Sequence, residues 1–162
     1  MARPLPEQVH HLLRQSAATV STAESLTGGA LAAALTAVPG ASATYLGGVV
    51  AYATDVKVAV LGVPEDLVER HGVISAACAI AMARGVRDLT GATYGVATTG
   101  VAGPTAQESK PVGTVYVGLC GPVSVRAVPL ELVGERAAIV EASVAAALGA
   151  IADLVGEARL PG

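Results

Sequence analysis

Residues 19–29, Thr-Val-Ser-Thr-Ala-Glu-Ser-Leu-Thr-Gly-Gly, set a serine hydroxyl, Ser25, where a β-branched run gives way to an alanine-rich helix. A strand running into a helix start leaves backbone N–H groups without helical partners, and the aligned peptide dipoles favour negative charge there. A hydroxyl in that position can cap the helix, hold a phosphate or attack a carbonyl. Attack needs a base. His10 and His11 fall in the first helical pattern and His71 precedes a C-capping glycine, so none is suited to orient a nucleophile. Neither Gly-x-Ser-x-Gly nor Ser-x-x-Lys surrounds Ser25. Lys57 is the other candidate, between Val56 and Val58 on a short helix past a strand. Its ammonium either snorkels out of an apolar helix or is desolvated. In the second case its pKa falls from ~10.4 towards neutrality, and the amine can accept a hydroxyl proton. Both residues follow strands, and adjacent parallel strands bring such ends together at one edge of a sheet.

Two further segments could hold a ligand. Thr98-Thr99-Gly100-Val101-Ala102-Gly103-Pro104-Thr105 follows a third strand, and Gly100 and Gly103 permit close approach of a ligand to the backbone. The segment reads either as an ordinary turn or as a nest of N–H groups and hydroxyls aimed at an anion. Arg136, beside Gly134-Glu135, is either a solvated charge or a phosphate fork. No complete Gly-x-x-x-x-Gly-Lys-Ser/Thr or Gly-x-Gly-x-x-Gly occurs, which argues against a standard triphosphate or dinucleotide site. No residue spacing supports a zinc site, so neither metal nor cofactor is expected.

The elements that would position these groups alternate along the chain. Helical patterns cover residues 6–17, with Val9, Leu12 and Leu13 on one face, and 27–38, ending at Pro39-Gly40. A short helix over 55–61 is expected behind a Thr54 cap, another between Pro64 and Gly72, then 76–89 behind a Ser75 cap, and 135–154. Strands are expected at 19–23, 47–52 (buried), 93–99, 113–119 and 123–132, the last two joined by a Gly121-Pro122 hairpin turn. Strands interleaved with helices, plus one hairpin, predict an α/β protein with a mixed sheet covered on both faces. With no linker or repeat, residues 1–162 read as one domain.

Composition narrows the class. The chain has 162 residues, 52% hydrophobic, with four Tyr and no Phe or Trp, so small and branched side chains must fill the core. A formal net charge of −3 and the missing ring platform argue against nucleic acid as partner. The most apolar stretch, 137–154, is interrupted by Glu141, Ser143 and Asp153, so no membrane span is expected. The N-terminus lacks a signal-peptide layout, and isolated Cys78 and Cys120 read as reduced core thiols, which together predict a cytoplasmic protein. A homo-oligomer is expected, the alanine-rich last helix packing either within the domain or across a two-fold axis.

Four motifs in order, Ala23-Glu24-Ser25-Leu26-Thr27-Gly28-Gly29, Tyr52-x4-Lys57, Thr99-Gly100-Val101-Ala102-Gly103-Pro104 and Lys110-Pro111-Val112-Gly113-Thr114-Val115, resemble the CinA C-terminal domain family. That family includes stand-alone nicotinamide-nucleotide amidases, and the likeness runs from about residue 9 to 154. The resemblance implies a three-layer α/β/α sandwich with a mixed, mostly parallel sheet. It also implies deamidation of nicotinamide mononucleotide, a pyridine nucleotide, to nicotinic acid mononucleotide and ammonia. The family's serine nucleophile falls on Ser25 and its lysine base on Lys57. Substrate-contacting positions fall on Tyr52, Ser42, Thr99 and Arg136, with Gly28 and Gly100 letting the ligand lie close to the backbone. N–H groups at the start of the helix beginning near Thr27 are the expected oxyanion donors. Larger family members carry an N-terminal domain similar to molybdopterin-binding proteins, which has no counterpart in this sequence. Thr54, Thr105-Ala106-Gln107 and Val140 depart from the family pattern of Asn, Asp-Gly-Gly and a second Arg, so the substrate is less fixed than the reaction. The alternative to an amidohydrolase is a non-catalytic nucleotide-binding domain, or a competence-related interaction domain.

Overall fold

Five short apolar runs form strands β1 (Val20–Glu24), β2 (Tyr45–Val50), β3 (Tyr94–Gly100), β4 (Thr114–Cys120) and β5 (Val125–Glu131). They were traced in a computed structural model that describes residues 2–161. The strands make one sheet in the order β2-β1-β3-β4-β5. β1 pairs in parallel with both β2 and β3, while β4 is antiparallel to β3 and to β5. Four strands therefore point one way and β4 opposes them. The order reverses between β1 and β3, which opens a crevice beyond their carboxyl ends.

Helices cover both faces. Helices α1 (Leu5–Gln15), α2 (Ala30–Thr36) and α6 (Arg136–Glu157) share one side. Their core includes Leu13, Leu31, Leu35, Val96, Val117 and Ile151. Helices α3 (Thr54–Leu61), α4 (Glu65–His71) and α5 (Ala76–Thr90) lie on the other, around Ala23, Leu61, Met82, Val86 and Ala97. This is the expected three-layer α/β/α arrangement. α6 is long and apolar enough to cross a bilayer, with a mean hydropathy of 1.9. Its buried residues, among them Ile139, Ala147, Leu148, Ile151 and Val155, pack into the interior.

Small residues bring α5 close to the sheet. A Cβ at Gly118 on β4 would run into the Ala79 carbonyl, and one at Gly95 on β3 into the Ala83 carbonyl. Backbone cannot step aside as a side-chain tip can, so overpacking here is costly. Gly118→Ala is expected to lower unfolding free energy by about 3 kcal/mol or more. Urea titration of the variant beside the wild type measures this; an unchanged midpoint would contradict the close helix–sheet contact.

Three sequence expectations require correction. α2 begins at Ala30, not Thr27, because residues 26–29 form a turn in which Gly28 and Gly29 take positive φ of 58° and 104°. β2 is an edge strand rather than a buried one: Leu46 and Val50 are about half exposed, since its outer side has no partner among the described residues. Thr54 is the first residue of α3 and makes no cap hydrogen bond. Ser75 does cap α5, its hydroxyl accepting from Cys78 N–H at 3.1 Å. Cys78 and Cys120 are both free and buried.

Candidate active site

The crevice collects groups from three parallel strand ends. Ser25 is the residue after β1, Tyr52 lies two residues past β2, and Thr99 and Gly100 close β3. Ser25 N–H donates to the Thr98 carbonyl at 3.0 Å, and Ala51 N–H donates to the Glu24 carbonyl at 2.8 Å, so the three ends are fastened together. Lys57 comes from the first turn of α3, the helix that follows β2.

Lys57 is 2% exposed. Its Nζ donates to Ser25 Oγ at 2.9 Å, the Ala51 carbonyl at 2.8 Å and the Tyr52 carbonyl at 3.0 Å. Two opposing effects act on its proton. The carbonyls favour the ammonium, whereas burial disfavours it. Burial dominates and pushes Lys57 below its ordinary value, against smaller attractive contributions from Cys78 and Glu108. In the neutral form two N–H bonds satisfy the two carbonyls and the lone pair is left facing the Ser25 hydroxyl. The same burial raises the nearby Cys78 thiol to about 11, which keeps it protonated and unreactive.

The cleft around this pair has a volume of about 280 Å³, near the ~300 Å³ at which ligand pockets begin. Its wall carries the Arg136 guanidinium and the Lys57 amine, and no carboxylate among the described residues. In a chain of net charge −3 this is a local reversal of sign, suited to an anionic ligand. Arg136, at the start of α6, spans the cleft mouth: it donates to the Gly103 carbonyl at 2.6 Å and to the Tyr52 hydroxyl at 2.8 Å. A larger groove of about 960 Å³ runs beside α6 past Val140 and Val144, but it contains no nucleophile paired with a base.

Of the sequence-selected residues, Ser25, Lys57, Tyr52, Thr99, Gly100 and Arg136 all line the one cleft. The Thr99 hydroxyl donates to the Val73 carbonyl at 2.7 Å, which leaves its oxygen free to accept. Gly100 is also where β4 crosses closely, since a Cβ there would lie 2.8 Å from Val115 Cα. Gly28 does not line the cleft; it is exposed, and its N–H closes the turn by donating to the Ser25 carbonyl at 3.1 Å. Ser42 is not brought to the cleft either. It sits in the 3-10 turn Ala41–Ala43 ahead of β2, exposed, beside Pro39 and Tyr45. The length of β2, roughly 3.3 Å per residue, separates it from Lys57.

The expected oxyanion donors also change. The Leu31 and Ala32 N–H groups at the start of α2 are taken by the Glu24 carboxylate, at 2.8 and 3.1 Å. The Leu26 N–H, next to Ser25 and on the cleft wall, has no acceptor among the described residues. Sequence reasoning gave Glu24 no role and passed over the far wall formed by Val73 and Ile74, which Gln107 joins. That wall is built by Glu108, whose carboxylate accepts from Val73 N–H at 3.1 Å and Ile74 N–H at 2.8 Å. Lys110 donates to the Ile74 carbonyl. Glu108 lies in a loop that reads as turn formers and charge, and Lys110 opens a motif that carries the family resemblance but was given no contact.

Comparison with known proteins bears on this arrangement. The model of the CinA C-terminal domain matches residues 2–155. The chain belongs to the CinA C-terminal domain family. A CinA-like protein of Frankia casuarinae is 54% identical over 137 residues, 85% of this chain and 32% of that protein. A CinA-like protein of Myxococcus xanthus is 48% identical over 126 residues, 76% of this chain and 30% of that one. The chain thus spans about a third of the length of the curated relatives it matches. A CinA superfamily protein from Klebsiella pneumoniae superposes with a TM-score of 0.91 at 32% identity, covering 94% of this chain and 96% of the other. The competence/damage-inducible protein CihA from Agrobacterium tumefaciens gives 0.86 at 33% identity, covering 95% and 99%. Within this CinA domain the departures noted from sequence divide in two. Thr54, Thr105 and Gln107 line the cleft, whereas Val140 packs with the apolar cluster of Leu26, Val115 and Ile139. Among the described residues Arg136 is consequently the one guanidinium in the cleft wall.

Proposed function

We propose that this CinA domain is an amidohydrolase that deamidates nicotinamide mononucleotide in the cytoplasm through a Ser–Lys mechanism. One observation carries the reading: the 2.9 Å contact between a buried lysine and a serine hydroxyl, in a cleft lined by Arg136 and by no carboxylate among the described residues. Neutral Lys57 takes the Ser25 proton as Oγ attacks the carboxamide carbon, and the C=O electrons move onto oxygen. The Leu26 N–H is the free donor beside that oxyanion; one such donor is typically worth about 3 kcal/mol. Collapse breaks the C–N bond while the Lys57 ammonium gives its proton to the departing nitrogen, releasing ammonia. A water, deprotonated by the same amine, then hydrolyses the acyl-serine and regenerates both residues. Arg136 holds the phosphate, with Tyr52 and Thr99 between it and the reacting centre.

Incubation with nicotinamide mononucleotide, followed by assay of ammonia and nicotinic acid mononucleotide, tests the reaction. Binding of the nucleotide without ammonia release would replace it with the non-catalytic alternative. Arg136→Ala is expected to raise KM about tenfold or more, the loss of one charge-assisted contact, with kcat changed much less. Nicotinamide riboside, which lacks the phosphate, should not register that substitution. An equal penalty on both substrates would move the phosphate away from Arg136.

A further inference from the structure

Glu24 is 1% exposed and lies next to the Ser25 hydroxyl in sequence, yet it takes no part in the proton transfers above. Both carboxylate oxygens are engaged. Oε1 accepts from Thr27 Oγ1 at 2.7 Å and from Leu31 N–H at 2.8 Å, and Oε2 from Ala32 N–H at 3.1 Å. Thr27 has one hydroxyl proton and gives it to Glu24, so Thr98 is the donor in the 2.8 Å contact between the two threonine hydroxyls. None of these partners is a cation. The buried charge is met by the N-terminal N–H groups of α2 and by a hydroxyl chain reaching β3.

The turn that carries Ser25 is thereby held at both ends. On the strand side the backbone of Glu24 and Ser25 is tied to Ala51 and Thr98. On the helix side the Glu24 side chain reaches across residues 25–29 and fixes where α2 begins. Between them lie Gly28 and Gly29, both at positive φ, which without a tie would allow the turn many shapes.

We propose that Glu24 is a positioning residue: its carboxylate clamps the Ser25 turn so that Oγ stays against the Lys57 amine. The proposal rests on the reading of Ser25 as nucleophile. A displacement of about 1 Å at a reacting atom can cost on the order of 100-fold in rate. A residue that sets turn position therefore acts on kcat more than on substrate affinity.

The test compares Glu24→Gln and Thr27→Val with the wild type. The rate of Ser25 modification by a fluorophosphonate, read by intact mass, is measured beside steady-state kcat and KM for the mononucleotide and the thermal midpoint. Rates are normalised to folded protein. Glu24→Gln is expected to slow modification and kcat together by about 30-fold or more, with KM within about twofold. Thr27→Val, which removes only the hydroxyl link, should slow both by about fivefold or more. If both variants keep modification and kcat within about twofold of wild type per folded molecule, whatever the thermal midpoint does, Glu24 only caps a helix and the proposal is overturned. Should Glu24→Gln fail to fold, Thr27→Val decides by the same criterion. A wild type that neither reacts at Ser25 nor releases ammonia defeats the nucleophile reading itself, a different result from intact reactivity in the variants.

Discussion

Ser25→Ala is expected to reduce carboxamide hydrolysis by about 10⁴-fold or more, with KM for the mononucleotide nearly unchanged. The size follows from the reaction path: without Oγ no acyl-enzyme forms, and water would have to attack the amide directly. The fold should survive, because Ser25 is tied in by its backbone N–H to Thr98 and its side chain makes the single contact with Lys57. Lys57 keeps its two carbonyl acceptors in the variant. Rapid-quench measurement of ammonia release with titration of bound nucleotide checks both halves. Residual activity within tenfold of wild type would falsify the assignment of Ser25 as nucleophile.

Lys57→Met should cost about 10³–10⁴-fold in kcat, the usual range for removing a general base. Lys57→Arg should do no better, since a guanidinium holds its proton at neutral pH. Because nucleophile and base act as a unit, the double variant with Ser25→Ala should be scarcely worse than either single one. In the wild type the base is the unprotonated amine, so kcat/KM rises with pH through the depressed Lys57 pKa and then levels. Stability follows the same proton. At pH below the folded-state value both states carry it, and the full burial penalty stands. Between that value and the unfolded ~10.4 only the unfolded chain is protonated, so stability rises with pH; above both it is flat. Urea midpoints of Lys57→Met and wild type should therefore converge, or reverse in favour of wild type, as pH climbs towards 10. A stability difference independent of pH would mean that Lys57 is not strained by burial.

On the proposed mechanism, a small α/β domain hydrolyses an amide without a histidine. The usual imidazole is replaced by an amine whose basicity is set by depth in the protein and by two carbonyls that orient it. Arg136 then supplies the positive charge for an anionic group, while no carboxylate among the described residues lines the cleft beside Nζ and Glu108 acts on it only from behind the far wall.

What the amino-acid order settled was the succession of elements, and it singled out Ser25 and Lys57 as the candidate pair. Alternating apolar periods placed each helix and strand to within a few residues, and Ser75, Pro64 and Gly72 marked boundaries because capping and φ preferences act locally. Ser25 and Lys57 could be paired in advance because strand-end residues of adjacent parallel strands meet at one edge. Local signals misjudged other features. The Gly28-Gly29 pair delayed α2 by three residues, and β2 has strand chemistry but an edge position that only sheet order reveals. The resemblance put Ser42 at the cleft; chain direction put it at the opposite end of β2. Glu24 could not be recognised as a clamp, because its acceptor role depends on N–H groups seven and eight residues later folding back onto it. The depressed Lys57 pKa, the carboxylate-free lining and the occupied helix start are likewise tertiary features. Each arises from which atoms exclude water around a group, and side-chain type alone does not fix that.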